Sequence, residues 1–142
     1  MRLPLVRPTL LLVGVATVSC VDAPAEPPAA VRLQAADVRS LSAPAPVAVR
    51  AEPGRLVVQN VLGTPDPCQD LSAASRRGAA TLTLDVTARQ RTNGGCVAVT
   101  GAFAYTASVP APAGAYRLVV RHVLTGGAER TDVALDTAVV VP

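Results

Sequence analysis

The chain has 142 residues, enough for one domain once any targeting segment is removed, and alanine and valine supply most of its 50% hydrophobic content. Aromatics make up only 2%, with no tryptophan, so the core must be aliphatic, and the composition argues against a sugar-stacking lectin surface. The formal charge of +3 contains no lysine, and without Arg2 and Arg7 the balance is 11 arginines against 10 acids, too even and too scattered for the clustered basic face that nucleic acid needs.

The first seven residues, MRLPLVR, are short and positive. The next run, PTLLLVGVATV, is apolar but far short of the roughly 20 residues a spanning helix requires. A charged start, a short apolar middle and small residues at the end make a secretory signal over residues 1–19. The run ATVSC, ending on Cys20, resembles the lipobox of bacterial lipoproteins. Ser19 fits the small residue before the cut, and Thr17 stands where an aliphatic residue is usual. The resemblance implies cleavage before Cys20 and lipid on its sulfur and new amino terminus. It also implies an extracytoplasmic protein held to a membrane, and Val21 in place of aspartate favours the outer membrane or cell surface. Cysteine arithmetic agrees, because three cysteines in an exported chain leave one unpaired, and Cys20 is the natural odd one.

VDAPAEPPAA follows, rich in alanine and proline and without apolar periodicity. Proline stiffens such a stretch toward an extended form. Residues 20–46 are therefore expected to be a tether, in which 31–41 reads either as a first strand or as a short helix. Several lipid chains would anchor it, since each buried CH₂ contributes about 0.8 kcal/mol.

From residue 47 to 142 the pattern becomes short alternating runs separated by turn signals. VAVRAEPGRLVVQNVL reads as two strands about the EPGR turn. TPDPCQDL is a proline-broken loop leading into a short strand. In AATLTLDVTAR, Leu82, Leu84, Val86 and Ala88 alternate with Thr81, Thr83, Asp85 and Thr87, the period of a half-buried strand. Asn93 and Gly94 signal a hairpin. CVAVTGAFAYTASV reads as the next strand, with Val97, Val99, Phe103 and Tyr105 on one side and a bulge at Gly101. AYRLVVRHVL puts Tyr116, Leu118, Val120, His122 and Leu124 on one face. TDVALDTAVVV closes the chain with Val133, Leu135, Val139 and Val141 on one face. Six to eight short strands, with no long amphipathic helix, predict an antiparallel β-sandwich.

Cys68 and Cys96 flank the TLTLDV strand, and outside the cytoplasm they are expected to form a disulfide. Two cysteines and one histidine without CxxC spacing are a poor zinc signature, and no metal is assigned. Pro67 with Cys68, then Cys96, then PAGAY with Gly114 two residues before Tyr116, is similar to a pattern in uncharacterised bacterial lipoproteins with a single immunoglobulin-like domain. The resemblance spans about residues 56–124. It implies that the Tyr116 hydroxyl bonds nearby backbone and fixes a corner between strands, and that the domain is a structural or protein-binding module.

No catalytic residues are assigned and no cofactor is implied. His122, the one histidine, shares a face with leucine and valine and reads as a partly buried residue near a sheet end. No serine or cysteine has a base in a recognisable motif, and G-x-S-x-G is absent. Asp66 and Asp70 bracket Cys68; acid–base work or calcium would suit paired carboxylates, and solvated turn residues are the simpler reading. The expected function is that of a non-catalytic envelope lipoprotein with an unidentified protein partner. The alternatives are a secreted protease inhibitor offering TPDPCQDL or PAPAG as a rigid segment and, with least support, an enzyme.

Overall fold

The computed structural model describes residues 30–37 and 47–142 except Ala128. The expected leader, Cys20 and most of the expected tether lie outside the described residues. Among those described there is no helix, and none is long and apolar enough to cross a membrane. Eight strands form: β1 (Arg32–Asp37), β2 (Ala48–Glu52), β3 (Arg55–Thr64), β4 (Gln69–Arg77), β5 (Thr81–Gln90), β6 (Gly101–Pro110), β7 (Gly114–Thr125) and β8 (Arg130–Val141).

They make two four-stranded sheets, ordered β1-β6-β3-β2 and β4-β5-β7-β8. Alternation builds the interior. Leu82, Leu84, Val86 and Ala88 of β5 are buried, as are Phe103, Tyr105, Ala107 and Val109 of β6. Leu56, Val58 and Leu62 of β3 complete the first sheet's inner face, opposite Leu118 and Val120 of β7. Fully burying one such leucine or valine contributes about 1.5–3 kcal/mol, so this aliphatic layer is the main force holding the sheets together.

β1 takes the strand alternative of the 31–41 stretch. It pairs along β6, from Arg32 opposite Ser108 to Asp37 opposite Phe103. The first sheet therefore includes a strand upstream of residue 47, within the stretch expected to be tether.

The sandwich is not purely antiparallel as the sequence predicts. Five strand pairings are antiparallel, but β5 and β7 run parallel, from Thr81 opposite Arg117 to Arg89 opposite Thr125. The chain leaves the second sheet after β5, returns through the first sheet as β6, and re-enters as β7. Two reversals restore the original direction, and the intervening segment supplies the long crossover that a parallel pair requires.

Two poles result. One carries the β2–β3 turn at residues 53–54, the β4–β5 turn at 78–80, the β6–β7 loop at 111–113, the start of β1 and the end of β8. Backbone bonds knit it, with Ala111 N donating to Gly54 O at 3.0 Å and Arg117 N to Ala80 O at 2.9 Å. The opposite pole carries the loops at 65–68 and 91–100 and the β7–β8 turn.

Residues 91–100 depart from expectation. The turn chemistry at Asn93 and Gly94 does not close a hairpin, because β5 and β6 lie in different sheets. The next strand begins at Gly101, and Val97 and Val99 are exposed. β8 departs as well. A bulge lies between Val120 and Arg121 on the register, so Leu135 faces Val120 while Val133 faces Arg121. Val133 is thereby turned outward and exposed, and Ala134 packs on the core in its place.

Candidate functional site

The pole of the 91–100 loop gathers most of the chemistry-bearing side chains. Cys68 and Cys96 form a disulfide with a Cα–Cα distance of 5.9 Å. It ties the start of β4 to the loop after β5, and Arg91 N donates to Cys68 O at 2.9 Å beside it. Asp66 is the hub. Its Oδ1 accepts from Cys68 N–H at 2.8 Å and from the Gln69 amide at 3.0 Å, and its Oδ2 lies 3.4 Å from the Gln90 amide nitrogen. Its carbonyl accepts from Thr64 Oγ1 at 2.6 Å. Proline on both sides and an aspartate bonding the amide two residues on are the local reason this segment turns where it does.

Gly101 belongs to the same construction. It is no bulge but the first residue of β6, buried beneath the Asp66 turn. A Cβ there would sit 2.5 Å from Asp66 O and 2.6 Å from Thr64 Oγ1. Glycine is needed for close approach of two chain segments.

Asp66, Cys68 and Cys96 bring their ligand-type atoms within 4.8 Å of one another. The sulfurs are spent on each other, however, and the carboxylate is spent on amide donors. Asp70 does not converge with Asp66; its Oδ1 accepts from Arg91 Nε at 2.6 Å. The two carboxylates that bracket Cys68 thus serve separate structural contacts.

A part-buried polar pair spans the sheets just inside this pole. Tyr105 Oη of β6 lies 2.9 Å from His122 Nε2 of β7, with the rings edge to face at 5.7 Å. Burial pushes the Tyr105 phenol up to about 12, against the lowering effect of a hydrogen bond with the Asn60 side chain. Burial also holds the His122 imidazole below its usual range, opposed by the charge of Asp132 across the β7–β8 ladder. A neutral phenol facing a neutral imidazole satisfies both groups without placing charge in the core. Sequence reading placed each residue on an inward face but gave no sign that they meet.

Gly114 and Tyr116 sit at the other pole. Tyr116 Oη donates to Pro112 O at 3.1 Å, and Gly114 precedes it with φ +153°, a backbone state that side chains disfavour.

The outer face of the second sheet holds paired charges. Arg121 grips Asp85 through two bonds of 2.6 and 2.8 Å, and Arg76 reaches the same carboxylate at 2.8 Å. Arg117 pairs with Asp136 in the same two-pronged way, which holds the aspartate below its usual range and the arginine above its own. These arginines are neutralised in place. An open groove of about 580 Å³ lies on the first sheet, its lining including Gln34, Ala36, Gln59, Val61, Ala104 and Thr106. Among the described residues, no titratable side chain other than buried Tyr105 lines it. Comparison with protein-family models, with curated proteins and with solved structures finds no match.

Proposed function

We propose that the chain is a non-catalytic lipoprotein of the cell envelope, held to a membrane through lipid on Cys20, whose immunoglobulin-like sandwich binds a protein partner. The observation that carries this reading is the order of the leader: a positive start, a short apolar run, small residues, Cys20, then an alanine- and proline-rich stretch. The architecture supports it. β1 starts at the pole opposite the disulfide, so a tether entering there leaves the braced loops of residues 65–68 and 91–100 facing away from the anchor. The paired sheets and the Tyr116 bond to Pro112 support the immunoglobulin-like assignment. The parallel β5–β7 pair and a disulfide at a pole depart from the antiparallel immunoglobulin-like pattern.

Intact mass after detergent extraction is expected to show lipid on Cys20, and Cys20→Ser is expected to leave the protein uncleaved or released. A Cys20→Ser chain that matures and stays with membranes as the wild type does would overturn the anchor. A protease inhibitor is the second reading, supported by the bracing of TPDPCQDL through the disulfide and Asp66. Inhibition of a protease panel by the purified protein would favour it.

A further inference from the structure

Among the described residues the two sheets leave four edge strands, and three are guarded. β1 and β2 are only six and five residues long, and each carries two charges, Arg32 with Asp37 and Arg50 with Glu52. β4 carries Asp70, Arg76 and Arg77. Short length and charge are the usual devices that keep an edge from pairing with another chain. β8 differs. It is 12 residues long, its charges Arg130, Asp132 and Asp136 all lie in its first seven residues, and its last five, Thr137 to Val141, carry neither charge nor proline. Thr137 and Val139 face inward half-buried, Val141 is buried, and Ala138 and Val140 face out; Val140 is 69% exposed.

We propose that this end of β8 pairs with β8 of a second copy of the chain, antiparallel about a two-fold axis at Val139, joining two second sheets into one of eight strands. The segment is complementary to itself in that register. Val139 meets its own copy, Thr137 meets Val141, and Ala138 meets Val140, so each outward valine lies against a small side chain. Directly opposed Cβ atoms in such a ladder are about 4.5–5.5 Å apart. Charge selects the register. Asp136 is the nearest ionised group and is held by Arg117 of its own sheet. An axis at Val139 sets Asp136 opposite Pro142 and keeps the two Asp136 residues about 20 Å apart along the ladder. An axis at Thr137 would bring them within about 7 Å. A symmetric dimer needs one patch that fits itself, and this is such a patch.

The test uses the intact protein extracted in non-ionic detergent. Light scattering through the micromolar range is expected to give a protein mass twice that of one chain. Ala138→Lys with Val140→Lys places like charges opposite each other at two exposed positions and is expected to halve the mass while the circular dichroism spectrum stays unchanged. Under mild oxidation, an equal mixture of Ala138→Cys and Val140→Cys chains is expected to form a cross-linked dimer at several times the yield of either chain alone, with the wild type setting the background. A wild type that is monomeric throughout overturns the proposal. So does a dimer that survives the lysine pair, or cross-linking that ignores position.

Discussion

At the scale of single residues, two positions carry more constraint than their chemistry advertises. Gly101 is fixed by the carbonyl of Asp66 and the hydroxyl of Thr64, which leave no room for a methyl group. Gly101→Ala is expected to cost about 1–3 kcal/mol, read as a lower urea midpoint. Gly63→Ala, where nothing lies within 4 Å of the added atom, should change little and serves as the control. His122 makes stability depend on pH. Its folded pKa lies below the unfolded value, so the unfolded chain takes the proton first as the pH falls. Stability is therefore fully present above about pH 6.5 and is lost as pH drops through the folded value. The urea midpoint should be lower at about pH 5 than at about pH 7.5. His122→Gln, which can still accept from Tyr105, should remove most of that difference. An unchanged difference would assign the effect to the carboxylates instead.

At the scale of elements, the disulfide closes a loop of sequence separation 28 around β4 and β5. Replacing both Cys68 and Cys96 with serine is expected to cost roughly 3–4 kcal/mol in the chain-entropy model, measured by equilibrium denaturation of oxidised wild type and variant. Against a net stability of about 5–15 kcal/mol for an ordinary domain, that is a large share. The strands themselves were legible where two faces differ in polarity. β5 alternates leucine and valine with threonine and aspartate, and its buried face is the one the alternation names. Where local signals failed, a distant contact decided. Asn93 and Gly94 announce a turn, and Gly94 does adopt φ +112°, but a turn does not reveal which strand its neighbour will pair with. Val97 and Val99 alternate like a strand, yet the bond from Cys96 to Cys68 holds that segment in the loop. A one-residue bulge moved Val133 to the outside, because alternation counted along the chain is blind to a slip in register. The Tyr105–His122 pair was illegible for a similar reason, since it depends on β6 stacking over β7.

At the scale of the whole molecule, the two poles divide the labour. The first gathers the start of β1, the end of β8 and the Tyr116 bond to Pro112. The second gathers the disulfide, the Asp66 hub and the exposed valines of the 91–100 loop. The parallel partnership of β5 and β7 governs the order in which such a body can be assembled. As the chain is made the amino-terminal half emerges first, and β5 waits with one side of its ladder empty until β7 arrives, some thirty residues later. Throughout that interval a leucine- and valine-lined strand stands open to any stray extended segment. The covalent ring around β4 and β5, able to close before β6 is even complete, keeps this hairpin in register while it waits.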